Sequence, residues 1–320
     1  MKKPCTLVAT IPGMIGEADL APLKAKSDVR YCERNSISEG ELAGMCSGID
    51  YLMLNMDVVP KTGSVKLTPR FYESPAVKAL KTIAVDMTGM DYFSPSAAKS
   101  AGVQVQNIPH YSTRSVAESI LAEVFLHSRQ RHLAYQDALL GHPVKVRKGI
   151  NLLGRTAGIV GYGSIGSTVG GLLAAIGMNV IAWNRSPKNL VKQVDLPELF
   201  ESSDVICICL KTVHSGGERN IGAISDALLS KCNGSIVVNL ANDLLVDANA
   251  MSSALTTARV KGYSVEASED CKRILGSHPE VHFPPSNAWD SDESMATLRS
   301  VWVQNVISAI AGSAQNVYLD

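Results

Sequence analysis

The segment GIVGYGSIGSTVGGLLAAIGMNVIAWNRS, residues 158–186, constrains this chain more than any other. It sets Gly161, Gly163 and Gly166 in a G-x-G-x-x-G spacing between a strand-like apolar run and a helical pattern, and a second strand-like run, NVIAW, follows. The three glycines allow, in turn, a tight turn, close approach of backbone to a pyrophosphate, and close packing of helix on strand. The spacing alone is a weak signal. The strand–loop–helix–strand context makes it a dinucleotide loop, with Ser164 and Ile165 in the first helical turn, where free N–H groups face an anion. The strand after such a helix ordinarily ends in an acidic residue that holds the adenosine ribose hydroxyls. Here Asn184 stands there, followed by Arg185 and Ser186. An amide does not repel a 2′-phosphate and a guanidinium can pair with one, which tilts the expected cofactor toward NADP, with NAD as the alternative.

The rest of the chain is consistent with that loop. TLVATIP, YLMLNMDVV and LKTIAVDM are short apolar runs suited to strands of a parallel sheet buried on both faces. VAESILAEVFLHSRQRHLAYQDALL has apolar residues at helical spacing but is long for one globular helix, so a bend or break is expected. Residues 141–155 read as a loop. After the glycine loop, DVICICL, GSIVVNL and VKGYSVEA continue the strand–helix alternation, which means a doubly wound sheet. A final helix, DESMATLRSVWVQNVISAIAG, can serve either of two α/β units. A chain of 320 residues is long enough for both.

Composition excludes other classes. Thirty basic and thirty acidic residues cancel, leaving no electrostatic footprint for nucleic acid or an anionic membrane. No apolar run reaches the roughly 20 residues needed to span a bilayer. MKKPCTLVATIPG faintly imitates a secretion signal, but Pro4, Pro12 and the short apolar run favour a first buried strand. Seven cysteines at irregular spacing show neither a zinc pattern nor a disulfide framework, so no metal is expected and a reducing cytoplasm fits. Cys207 and Cys209 alternate and should share one strand face.

Several ordered blocks between residues 80 and 289 resemble the D-isomer-specific 2-hydroxyacid dehydrogenases of the phosphoglycerate and glyoxylate/hydroxypyruvate reductase types. They are TGMDYFSPSAAKSAGVQVQNIPHYSTRSVAE, GRTAGIVGYGSIG, VNLANDLLVDANAM and VHFPPSNAW. The resemblance implies two Rossmann-like, doubly wound parallel-sheet domains, with the nucleotide domain inserted into the substrate domain. The expected division is a flavodoxin-like substrate domain at 1–107 and 287–320 and a NAD(P)-binding domain at 108–286. It also implies a small-molecule substrate, a homodimer through the nucleotide domain, a substrate carboxylate held at the Met87–Thr88–Gly89 turn, and cofactor contacts at Leu210, His214, Leu240 and Ala241.

Such enzymes move a hydride to or from the C2 of a 2-oxo or 2-hydroxy acid, using an arginine, a histidine and a carboxylate that orients the histidine. Aligned on the blocks above, the arginine falls on Asn242, the carboxylate on Cys271 and the histidine on Ser286. Losing a charge-assisted hydrogen bond costs about 1.5–3 kcal/mol, and losing a positioned acid or base costs about 100- to 10,000-fold in rate. Ordinary 2-oxo acid chemistry by the family mechanism is therefore not expected. His110, Tyr111, His278 and His282 are the candidate substitutes, and Lys211 and Asp86 fall in neighbouring blocks. The plain alternative for each is a solvated or structural role, and for Cys271 a buried small hydrophobe.

Three functions stay open. The first is a diverged enzyme on a non-standard small substrate, redox or redox-neutral with bound cofactor. The second is a non-catalytic cofactor-binding sensor or scaffold. The third is an ordinary 2-oxo acid reductase with a relocated acid, His110 or His282.

Overall fold

A computed structural model of the chain describes residues 3–60, 66–90, 93–187, 189, 191–213 and 219–318. It divides into two compact units, residues 1–111 with 291–320, and residues 112–290. Each crossover lies four residues beyond the expected one.

The first unit is built on a parallel sheet of β1 (Cys5–Thr10), β2 (Asp28–Glu33), β3 (Tyr51–Leu54), β4 (Thr82–Val85) and β5 (Gln104–Gln106), in the order β2-β1-β3-β4-β5. β3 and β4 are buried along their whole length, which is why they read as unbroken apolar runs. Alternate residues feed two cores. Leu7, Leu52, Leu54, Ile83 and Val85 pack on one face, and Val8, Tyr51, Met53 and Ala84 on the other. The final helix, Asp292–Ile310, covers this second face. Its Trp302 is fully buried and donates its indole N–H to Ala84 O at 2.8 Å, so the last helix belongs to the first unit. Parallel strands need crossovers, and β2 and β5, with few apolar residues, are edges that apolar runs do not reveal.

The second unit holds β6 (Thr156–Val160), β7 (Asn179–Trp183), β8 (Lys192–Gln193), β9 (Val205–Ile208), β10 (Ser235–Asn239), β11 (Val260–Val265) and β12 (Val281–His282). Their order is β12-β11-β10-β9-β6-β7-β8, all parallel. The chain runs outward from β6 in both directions, so a topological switch point lies at the carboxyl end of β6, the place where open α/β sheets take ligands. Ile206, Ile208 and Val237 pack on one face and Val205, Cys207 and Val238 on the other, with Cys209 beside Cys207.

The long helical stretch breaks as expected. Helix Thr113–Ser128 ends before Gln130, whose φ of 49° is left-handed, and helix Arg131–Leu139 follows. Among the described residues no helix is long and apolar enough to cross a membrane.

Candidate functional site

The loop after β6 shows why its glycines are glycines. Gly161 has φ +95°, and a Cβ there would lie 2.8 Å from Cys209 O. A Cβ on Gly166 would lie 2.0 Å from Gly161 O, so helix Ser164–Ala175 can pack on the loop only without one. Gly163 differs. Its φ is −80° and nothing lies within 4 Å of where its Cβ would be. Neither backbone nor packing demands a glycine at the mouth of this helix. The open space suits an anion approaching the first-turn N–H groups of Ser164 and Ile165. The loop therefore fits a pyrophosphate.

At the end of β7, Asn184 accepts a hydrogen bond from Tyr162 N at 2.9 Å and donates to Ser186 O at 2.8 Å. It ties the glycine loop to the next turn without a negative charge. Arg185 and Ser186 are exposed beside it. Leu210 packs at the edge of the core and Leu240 is buried at the end of β10, next to exposed Ala241. His214 lies outside the described residues. Lys211 is exposed, and its carbonyl accepts from Asn220.

The turn after β10 has been put to structural use. Asn242 caps the short helix Asp243–Leu245, its side-chain oxygen accepting from Leu244 N at 2.9 Å. Asp243 accepts from Ser268 N at 2.8 Å and Ser268 Oγ at 2.5 Å. Ser268 in turn caps helix Glu269–Leu275 by accepting from Cys271 N at 3.3 Å. Cys271 is buried in the apolar core, and burial pushes its thiol up to about 11. Burial on the core side of the helix favours the protonated thiol, which packs there as a small hydrophobe.

Ser286 has a carboxylate partner that the sequence did not point to. Its hydroxyl donates to Glu266 Oε2 at 2.7 Å, just past β11. Burial raises the Glu266 carboxyl, while the bonds from Ser286 and the backbone of Ala288 oppose the shift. Glu266 lines a cavity of about 170 Å³ together with Glu123, Leu240, His282 and Asn287. Of the histidines in the second unit, His278 is bonded to Ser252 Oγ at 2.8 Å. His282 faces the cavity with Nδ1 2.7 Å from Glu123 Oε2. Two carboxylates and an imidazole line this space, and among the described residues no lysine or arginine does. Glu123 could have been noticed as a carboxylate inside the apolar period of a helix.

In the first unit the Met87–Gly89 turn is held by the segment after β5. Ile108 N donates to Met87 O at 2.9 Å, Thr88 Oγ1 donates to Ile108 O at 2.7 Å, and Asn107 Nδ2 donates to Thr88 O at 2.8 Å. Gly89 has open space around it. Asp86 points inward, bonded to Asn55 Nδ2 and, at 2.9 Å, to Met56 N, and burial pushes its carboxyl up to about 6. His110 is exposed with a left-handed φ of 63°, and Tyr111 packs against the core under the last helix.

Comparison with known proteins agrees with this architecture. Residues 121–285 match the NAD binding domain of the D-isomer specific 2-hydroxyacid dehydrogenases. A glycerate dehydrogenase of Methylorubrum extorquens is 31% identical over 259 residues, which covers 74% of this chain and 78% of the relative. A glyoxylate reductase structure from Paecilomyes thermophila has a TM-score of 0.83 at 21% identity, covering 99% of this chain and 98% of that one. An acyclic imino acid reductase in complex with NADPH and D-Arg has a TM-score of 0.81 at 24% identity, covering 98% and 100%. Both solved structures share the fold. The chain belongs to the D-isomer specific 2-hydroxyacid dehydrogenase family and carries that family's nicotinamide-cofactor domain.

Proposed function

We propose that this protein is a diverged member of the family that uses its nicotinamide cofactor on a small substrate other than the usual 2-oxo acid. The observation that carries this is the pairing of an intact glycine loop, open at Gly163, with a cavity whose polar walls are Glu266, Glu123 and His282. A cavity with two carboxylates and no fixed cation among its described lining residues disfavours an anion and suits a neutral or cationic group. At the matched positions Asn242 caps a turn, Cys271 packs in the core, and Ser286 bonds Glu266. None of the three supplies a fixed positive charge or an acid near neutral pH. The small carbonyl and the protonated imine are the substrate classes this favours.

The test is oxidation of NADPH and NADH against glyoxylate, hydroxypyruvate, simple aldehydes, and imines formed from them with methylamine. Faster turnover of aldehydes or imines than of the 2-oxo acids is expected. Bound cofactor that never changes redox state with any of them would replace this reading with a non-catalytic, cofactor-binding role.

NADPH is the favoured cofactor, because Asn184 occupies the acidic residue's place without its charge and Arg185 adjoins it. A homodimer is supported by exposed apolar side chains clustered at 135–153, among them Tyr135, Leu139, Leu140, Val146 and Leu153. Light scattering of Leu139→Asp against the natural chain checks it, the variant being expected to weaken association. The seven free thiols are in keeping with the reducing cytoplasm.

A further inference from the structure

Helix Thr113–Ser128 turns Ala117, Ile120 and Val124 into the core, yet it places Glu123 and His127, one turn apart, among them. The Glu123 side chain is only 12% exposed. A carboxylate and an imidazole there are costly unless bonded. The bonds form one chain. Ser264 Oγ donates to Glu123 Oε2 at 2.5 Å, and His127 Nε2 meets Ser264 Oγ at 2.8 Å. His282 Nδ1 reaches the same Glu123 oxygen at 2.7 Å. β11 and β12 pair with Ser264 opposite His282, so the sheet register itself brings both to Glu123.

The direction of every bond follows. A hydroxyl has one proton, and Ser264 gives it to the carboxylate. His127 must then donate Nε2–H to Ser264, which leaves its buried Nδ1 without a partner. Burial and the flanking rings of His132 and His282 keep His127 neutral. The carboxylate receives a second proton-bearing group in His282 Nδ1–H. The other nitrogen of His282, Nε2, takes no part in the chain, and His282 lines the cavity with Leu240 and Glu266. At about 30 Å³ per water, this space holds roughly five waters or a small organic molecule.

We infer that His282 is the proton donor and acceptor of this cavity and that Glu123 is its positioning residue, with Ser264 and His127 fixing Glu123 from behind. The assignment rests on the reading of the cavity as the site of carbonyl or imine reduction. In that direction a bound reduced nicotinamide would supply the hydride to the substrate carbon and would be oxidised by its loss. The π pair of the C=O or neutral C=N bond moves onto the heteroatom, and imidazolium Nε2–H of His282 gives that atom its proton, whereas a C=N that is already protonated takes up the hydride alone. His282 is left neutral, to be reprotonated by water. The pair restores the acid and orienting carboxylate from β12 and a helix, in place of residues at 271 and 286.

The first measurement needs no substrate. Nitrogen-15 NMR of the histidines in the full chain should find neutral His282 with a protonated Nδ1 and a bare Nε2. Glu123→Leu should move the proton toward Nε2, while Glu123→Gln, whose amide oxygen still accepts, should not. An Nε2–H tautomer in the natural protein overturns the assignment, and that result stands even if Glu123→Leu fails to fold. The second measurement uses the best substrate of the aldehyde and imine panel. His282→Gln should lose about 100- to 10,000-fold in kcat with NADPH affinity unchanged, Glu123→Gln should lose less, and His278→Gln should lose nothing. An unchanged kcat in His282→Gln overturns the assignment. A panel with no turnover overturns the proposed reaction alone, and the tautomer then decides whether Glu123 positions His282.

Discussion

The loop at the end of β6 and the cavity at the ends of β10, β11 and β12 stand on one sheet but are built by different means. The loop is made of backbone. Gly161 and Gly166 are required because a side-chain carbon would strike Cys209 O or Gly161 O. The cavity is made of side chains, with Glu266 on Ser286 and Glu123 on His282. Side chains can be exchanged on an unaltered strand, whereas a main-chain contact of this kind admits one residue. On the reading proposed above, this is how a chain keeps a family's nucleotide loop while its chemical site is rewritten.

The largest effect is expected at Gly166. In Gly166→Ala the new carbon would sit 2.0 Å from a main-chain oxygen that cannot move without the loop. A loss of about 3 kcal/mol is expected, read by chemical denaturation, together with loss of NADPH binding. Full stability in this variant would mean that the loop is not the rigid member of the pair.

Next in size is the acid response of the polar cluster behind the cavity. Burial, with His132 and His282 beside it, lowers His127 to about 3 from the 6.5 of a free imidazole. Between these values the unfolded chain binds a proton that the folded chain refuses. Stability is therefore full above pH 6.5 and falls as pH drops toward 3, by at most about 1.4 kcal/mol per pH unit for this one group. His127→Met should flatten that slope in melting experiments between about pH 6.5 and 5. An unchanged slope would remove His127 as its source.

The same distinction decides what could be read from the sequence. Glycine spacing reports main-chain geometry directly, and buried parallel strands announce themselves as apolar runs, so the doubly wound fold and the loop were legible. The break at Gln130 was foreseeable from length alone. Edge strands such as β2, DVRYCE, carry little apolar signal and were not. The candidate chemical site was legible as departures at 242, 271 and 286 and as His282 among the possible substitutes. The grouping of Glu123 with Ser264 and His282 was hidden because they lie 141 and 159 residues from it, and only strand register brings them together. Glu266 gave no signal for the same reason, since its partner Ser286 lies 20 residues away.

Within the loop, Gly163 differs from Gly161 and Gly166 in having open space where a Cβ would stand. A serine there enters empty space at a helix N-cap, a position that serine favours. Gly163→Ser should thus alter stability by no more than about 0.5 kcal/mol. If the space is where a pyrophosphate lies, NADPH affinity should fall by about tenfold or more, equivalent to about 1.4 kcal/mol. Calorimetric titration beside a melting curve separates the two effects. Unchanged affinity would show that the open space at Gly163 is not used by the cofactor.

The smallest effect is expected at Cys271. The thiol packs in the core of the second unit, and the helix that carries it is capped through Ser268 and Asp243 from the turn at Asn242. Cys271→Ala removes one buried sulfur, which by analogy with a methylene costs about 0.8 kcal/mol. NADPH affinity and turnover should stay as they are, because neither the cavity nor its hydrogen bonds include the thiol. Turnover that collapses while stability holds would return Cys271 to the chemistry. The site would then extend from the cavity into the helix behind the Asn242 turn, and the exchange of side chains on a fixed sheet would have reached one strand connection further than Glu266 and Ser286 indicate.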